Sequence, residues 1–218
     1  NLLGIKRVKG TYQKGKKPIL INDLKLIINV IDEEKIKGAK SLVAHNYKSH
    51  EIKRNKALIL LGFAGGFRRS ELVNINHEDI EFVKEGVKII IKRSKTDQSG
   101  EGSIKAIPYF DNEKYCPVIA LKNYLTYGFA ISKEGKIFDI SDKSVALIIK
   151  KYALLAGLDP KKYAGHSLRS GFATSAAESG AEERSIMAMT GHKTTQMVRR
   201  YIKEANLFKN NALNKIKL

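Results

Sequence analysis

The chain has 218 residues, 43% of them hydrophobic, enough for one substantial core or two small ones, and this excludes a disordered chain and a miniature scaffold. With 40 Lys and Arg against 22 Asp and Glu, the net charge is +18, which points to a polyanionic partner and to nucleic acid first. Cys116 is the single cysteine, excluding an internal disulfide and a cysteine-built zinc site and reading as intracellular, and no apolar run approaches the roughly 18 residues of a membrane span. The chain opens on Asn1 and its methionines are Met187, Met189 and Met197, so it is expected to be part of a longer protein. Residues 1–18 mix Gly4, Gly10 and Gly15 with Lys6, Arg7, Lys9, Lys14, Lys16 and Lys17, without apolar period, and read as a basic linker ahead of a domain spanning 19–206. Leu24, Ile27, Ile28 and Ile31 recur at helical spacing, and Ala57, Leu58, Leu60 and Leu61 suggest a second helix. Between them, Gly38 to Glu51 is polar, carries His45 and His50, and reads as an exposed connection.

After Asp79 the texture changes. Ile80–Phe82, Val87–Lys92 and Ser103–Tyr109 are short, rich in β-branched residues and separated by Gly86 and by 94–102, the pattern of a small antiparallel sheet. Helical patterns return over Pro117–Phe129, Asp142–Leu155, Ser167–Ser179, Glu182–Met189 and Thr194–Glu204, with Gly157, Gly180 and Gly191 placed as stops. The expected fold class is α+β, mostly α-helical with one small antiparallel β-sheet inserted. The tail 207–218 is polar but holds Leu207, Phe208, Leu213 and Ile216, which suit a short helix that docks on something.

Four places hold polar residues that a helical core does not need. Arg68 and Arg69 follow Gly65-Gly66-Phe67 where a strongly apolar helix ends; they suit a cleft, or a solvated helix end. Lys95 sits at the tip of the connection 93–97 between two strands, where a lysine can reach a ligand or simply be solvated. His166 and Arg169 share one face at the start of a helix, with Gly165 before them permitting close approach. Gly191-His192-Lys193 lies ahead of Tyr201, whose helix carries Met197 and Val198 one turn earlier on the same side. Taken singly, each has a structural explanation. Their joint order, Arg, Lys, His-x-x-Arg, His, Tyr, is what phosphodiester chemistry without a metal requires. A phosphoryl group attacked by a tyrosine develops charge that two guanidinium groups can meet with bidentate donors, a role for Arg68 and Arg169. The leaving oxygen needs a proton and the phenol must lose one, which makes Lys95 and His166 the acid and base candidates. No metal and no cofactor is called for.

The runs Gly66-Phe67-Arg68-Arg69-Ser70-Glu71-Leu72, Ser94-Lys95-Thr96-Asp97, His166-Ser167-Leu168-Arg169, Gly191-His192 and Tyr201 resemble the catalytic domain of tyrosine recombinases, the phage integrase family. The resemblance covers roughly Lys17 to Glu204. It implies that Arg68, with Glu71 behind it, is the first catalytic arginine, Lys95 the general acid of a β-hairpin, His166 and Arg169 the central pair, His192 a second histidine on the phosphate, and Tyr201 the nucleophile. It also implies cleavage through a 3′-phosphotyrosine link and strand exchange through a Holliday junction, on double-stranded DNA, by a homotetramer across two sites, with a possible accessory directionality factor. On this reading residues 1–18 join a further DNA-binding domain, residues 207–218 pass to a neighbouring protomer, and the protein is cytoplasmic, associated with a nucleoid, phage or mobile element. Two other readings remain at this point: a type IB topoisomerase-like DNA relaxer with the same chemistry, and a DNA-binding protein whose catalytic residues are relics. A basic RNA-binding protein is disfavoured by the absence of aromatic platform motifs.

Overall fold

The computed structural model describes residues 15–34, 41–92, 102–126, 134–206 and 212–216. Helix α1 spans Ile21–Asp32 and buries Leu24, Ile27, Ile28 and Ile31, the face that its apolar spacing marks out. Ahead of it, Lys17 N–H donates to Lys162 O at 2.7 Å and Ile19 N–H to Ser167 O at 2.9 Å, so residues 17–19 lie against the core. Helix α2, Leu42–Ala64, is longer than its apolar half, which corrects the reading of Gly38–Glu51 as a connection: from residue 42 onward that stretch is helical. Ser41 caps it by accepting from Ala44 N–H at 3.1 Å, and no Gly or Pro interrupts the chain before Gly62, so the helix runs out past the core. Leu42, Val43 and Tyr47 on that extension are exposed. His45 is exposed as well, whereas the His50 ring packs 4.9 Å from the Tyr124 ring. Among the described residues no group of three or more metal-ligating side chains comes together.

The C-terminal half of α2 is buried on all sides, from Ala57 to Ala64. It ends at Gly65, and the short helix α3, Arg69–Val73, follows. The strands β1 (Ile80–Val83), β2 (Gly86–Ile91) and β3 (Ser103–Pro108) form one antiparallel sheet in the order β1-β2-β3, with Ile89 opposite both Ile80 and Lys105. Val87, Ile89 and Ile91 alternate inward on β2. The remaining helices are α4 (Pro117–Thr126), with Pro at its first position, α5 (Asp142–Leu155), α6 (Ser167–Glu178), α7 (Glu183–Thr190) and α8 (Thr195–Ala205). The sequence places every one of these within a few residues. Gly157, Gly180 and Gly191 have φ of 74°, 82° and 61°, the left-handed conformation expected of helix stops. From the tail, Ala212–Lys215 forms a 3₁₀ turn with Leu213 and Ile216 exposed, while Leu207 and Phe208 lie outside the described residues.

Two apolar clusters hold the molecule. The large one joins α1, α2, α4 and α5 to the inner face of the sheet, and Leu168 from α6 reaches into it. The small one has four buried residues, Ala173, Ala177, Ile186 and Val198, from α6, α7 and α8, with Tyr201 and Ile202 packed against it. Helix α6 is thus the member shared by both. Its Gly171 lies under the backbone of residue 19, where an added Cβ would be 2.0 Å from Ile19 O. Backbone cannot yield as a side chain does, so Gly171→Ala is expected to cost about 2 kcal/mol and to lower Tm by roughly 6 °C in a thermal melt. A melt unchanged within a degree would show that the contact relaxes freely.

Candidate active site

The site is assembled where four chain segments end or begin. Helix α2 stops at Gly65-Gly66, and Gly66 takes φ of 54°, a conformation side chains rarely adopt, in a tight spot where a Cβ would crowd Phe172 at 3.0 Å and Thr190 at 3.1 Å. This turn delivers Arg68 as the residue that opens α3. Glu71, itself 7% exposed, accepts from Arg68 N–H at 2.9 Å through one carboxylate oxygen and pairs with the Arg68 guanidinium through the other. Glu71 therefore does support Arg68 from behind, fixing backbone and side chain together. The far nitrogen of Arg68 donates to Gly191 O at 3.2 Å, which ties the first turn to the one that carries His192.

Arg169, on the first turn of α6, is 6% exposed and donates to Gly66 O at 2.8 Å. Burial pushes its pKa down to about 10, Arg68 pushes the same way and Glu71 opposes; it stays protonated at neutral pH. His166 precedes α6 and is exposed. Partial desolvation first, and then the charges of Arg69, Arg169 and Arg68, hold its pKa below the usual histidine value, so its imidazole is neutral and free to accept a proton. The close approach allowed by Gly165 is taken by Arg69: a Cβ on Gly165 would lie 1.8 Å from Arg69 Cδ. Arg69 also reaches Asp142 at 3.9 Å and does not enter the cluster of Arg68 and Arg169 contacts.

His192 follows Gly191, whose φ of 61° ends α7. It is 9% exposed, and burial, with Arg169, Arg68 and Lys105 adding to it, pushes its pKa down to about 4. The neutral tautomer follows from its neighbour. Thr190 Oγ1 spends its one proton on Ile186 O at 2.6 Å, so at its 2.7 Å contact with His192 Nδ1 it must accept, and the proton sits on Nδ1. Nε2 is left as a bare acceptor. The Tyr201 ring, half-buried on α8, lies 6.1 Å from the His192 ring. Val198, one turn earlier, is fully buried as expected, but Met197 is 54% exposed: the two flank different sides of α8, and only Val198 faces the α6–α7 surface.

Lys95 lies outside the described residues. The connection that carries it leaves β2 and returns on β3, and β3 contributes a residue that sequence reasoning missed. Lys105 is 5% exposed, and its ammonium donates to Gly65 O at 2.8 Å and to Met189 O, with the Phe67 ring 4.9 Å away. The signal was present in the strand: Lys105 and the buried Ile107 are two apart and so share the inward face. Thr190, which sets the His192 tautomer, carried no such signal. Arg68, Arg169 and Lys105 all surround the single carboxylate of Glu71, which leaves the site with surplus positive charge and suits it to an anion.

Comparison with known proteins bears on the family and the fold. The chain is 48% identical over 224 aligned residues to an integrase/recombinase xerD homolog of Selenomonas ruminantium, covering 97% of this chain and 61% of that protein. It is 30% identical over 165 residues to the tyrosine recombinase XerA of Pyrococcus horikoshii, covering 76% of this chain and 55% of that one. The chain therefore spans about half to three-fifths of the length of these relatives. Among solved structures, the fold matches the XerH site-specific recombinase bound to palindromic difH substrate in a post-cleavage complex, with a TM-score of 0.66, 18% identity, and coverage of 90% of this chain and 54% of that one. It matches the XerA recombinase with a TM-score of 0.64, 18% identity, and coverage of 95% and 67%. Residues 30–207, containing all six positions of the motif order from Arg68 to Tyr201, match the phage integrase family, and the chain belongs to it.

Proposed function

We propose that this chain is the catalytic part of a site-specific DNA recombinase that cuts and rejoins strands through a covalent link to Tyr201. The observation that carries the reading is the convergence of Arg68, Arg169 and His192 on two adjoining turns, with the Tyr201 ring beside His192 and one carboxylate among several cations. In the attack, the Tyr201 oxygen bonds to phosphorus and the bond from phosphorus to the 5′ oxygen breaks. The phenolic proton passes to neutral His166, and Lys95 protonates the departing 5′ oxygen. Arg68 and Arg169 meet the charge that develops on the nonbridging oxygens. They now donate to Gly191 O and Gly66 O, weaker acceptors than a phosphate, so exchanging partners favours the bound anion. For His192 to donate to the same phosphate it must gain a proton at Nε2, and an arriving anion supplies the field that raises its pKa. The reverse attack, by the 5′-hydroxyl of a partner strand, reseals the backbone and keeps the bond energy.

The substrate on this reading is double-stranded DNA, for which the net charge of +18 is suited. The working assembly is a homotetramer on two DNA sites, with residues 1–18 as the link to a further DNA-binding domain and residues 207–218 passed to a neighbouring protomer. An accessory directionality factor and a cytoplasmic setting complete the proposal. The test is trapping on a nicked DNA duplex whose released 5′-hydroxyl fragment diffuses away, in EDTA, read on a denaturing gel. A covalent adduct attached through the 3′ phosphate is expected; an adduct through a 5′ phosphate, or one that needs a divalent ion, overturns the reading.

Lys95 is tested on the same substrate. Lys95→Ala should slow adduct formation by about 10²- to 10⁴-fold, the range for losing a general acid. DNA with sulfur at the bridging 5′ position should restore most of the rate, since a thiolate leaves without a proton. A variant equally slow on both substrates shows that the leaving group takes its proton from elsewhere.

A further inference from the structure

We infer that Lys105 is a positioning residue for strand cleavage, its ammonium clamping strand β3 to the two turns that aim Arg68 and His192. The inference rests on the recombinase reading and deepens it.

An inward-facing lysine is costly: water is stripped from the ammonium, and a methionine of similar length would fill the same space without that penalty. What offsets the cost here is the pair of acceptors. Gly65 is the cap residue at the end of α2, and Met189 lies in the last turn of α7; their carbonyls belong to the set that helix ends leave unpartnered, at the negative pole of each helix. One cation therefore closes two helix ends at once, and the face of Phe67 completes its enclosure.

The position of these two carbonyls is what makes the clamp functional. Each lies three residues before a side chain of the site, Gly65 before Arg68 and Met189 before His192. Arg68 crosses between the same two turns by its bond to Gly191 O, so the pair of turns is bridged twice, by Arg68 and by Lys105. When a phosphate draws Arg68 away from Gly191 O, the Lys105 bridge still holds the turns in register. Lys105 also sits on the strand that follows the Lys95 connection, three residues from the first described residue after it, so the same ammonium ties strand β3 to the rest of the site. Glu71, Arg68, Arg169 and His192 are the charged and titratable groups that face it. Burial holds its pKa down to about 8 against the pull of Glu71, with Arg169 and Arg68 adding to burial, so the ammonium form predominates at neutral pH.

The test compares the chain with Lys105→Met and Lys105→Arg on the nicked duplex, measuring the first-order rate constant of adduct formation with protein in excess, DNA affinity by anisotropy, and Tm. Once folded protein saturates the DNA, the rate constant no longer depends on how much protein is folded, whereas a yield does. Lys105→Met is expected to bind DNA within about threefold of the parent and to form adduct about 10²-fold more slowly, the scale of a roughly 1 Å misplacement of reacting groups. The 5′-sulfur substrate should not restore it, and Lys105→Arg, which keeps charge and donors, should recover at least a tenth of the parent rate. If Lys105→Met does not fold, Lys105→Gln takes its place under the same criteria. An unchanged rate constant with a lowered Tm would make Lys105 merely structural and overturn the inference; rescue by the sulfur substrate would overturn it too, by making Lys105 the proton donor. No adduct from the parent chain at all fails the recombinase reading, and the inference falls with it.

Discussion

Tyr201→Phe should bind DNA as the parent does, melt at the same temperature, and form no covalent adduct above background. The ring is what packs, lying against the small cluster of Ala173, Ala177, Ile186 and Val198 and beside His192, and phenylalanine keeps it. The hydroxyl is what reacts, and no rearrangement of the site replaces it. Three of the other described tyrosines, Tyr124, Tyr152 and Tyr163, are committed elsewhere. Tyr124 donates to Ile137 O at 2.7 Å, and burial pushes its pKa up to about 12. Tyr152 donates to Glu34 at 2.6 Å and Tyr163 to Asp23 at 3.0 Å, and burial raises both pKa values as well. Each of these hydroxyls is committed to a distant contact. The measurement is the denaturing-gel trap on nicked DNA, run beside an affinity titration; an adduct of parental yield from Tyr201→Phe would move the nucleophile to another residue and dismantle the mechanism proposed for the site.

What could be read in the sequence divides along a physical line. Where one face of a helix is apolar at regular spacing, as in α1 with Leu24, Ile27, Ile28 and Ile31, the periodicity alone carries the element and the structure agrees to within a residue or two. The first ten residues of α2 have no such face, and their helicity comes from the Ser41 cap and continuity with the buried half, which a local pattern does not reveal. Met197 and Val198 are adjacent on α8, about 100° apart around the axis, so both cannot face the same neighbour; the structure selects Val198. At the site, the legible residues stand next to glycines that mark chain reversals: Arg68 after Gly65-Gly66, His166 after Gly165, His192 after Gly191. The interactions that make these residues a site run between segments far apart in the chain, from Arg169 to Gly66 O, Arg68 to Gly191 O and Lys105 to Met189 O. Their partners are backbone carbonyls, which every residue possesses, and a sequence holds no mark of which one will be used.

Arg169 poses the sharpest separation of catalysis from stability. Arg169→Ala is expected to slow adduct formation by about 10³-fold, since a buried guanidinium that meets transition-state charge contributes on that scale. Arg169→Lys should recover only part of this, because a single ammonium cannot reproduce two parallel donors. Stability should hardly change, for two opposed reasons. Losing the side chain strips Gly66 O of its donor at 2.8 Å, which costs about 1–3 kcal/mol for a buried carbonyl. Against this, a guanidinium whose pKa falls to about 10 in the folded chain, chiefly through burial and then through Arg68, is held there at a cost. The sign is that of a depressed cation: the folded chain binds fewer protons than the unfolded chain above the folded pKa, so the penalty is fully present at neutral pH and is relieved only as pH rises past about 10. Its size is about 3 kcal/mol for a shift of that scale, close to the cost of the lost bond. A melt of Arg169→Ala at pH 7 should therefore fall within a few degrees of the parent while its rate constant drops by three orders of magnitude. A large fall in Tm with a proportionate loss of adduct yield, and an unchanged rate constant for the protein that remains folded, would make Arg169 a structural tie between α6 and the α2 turn, and leave the phosphate to Arg68.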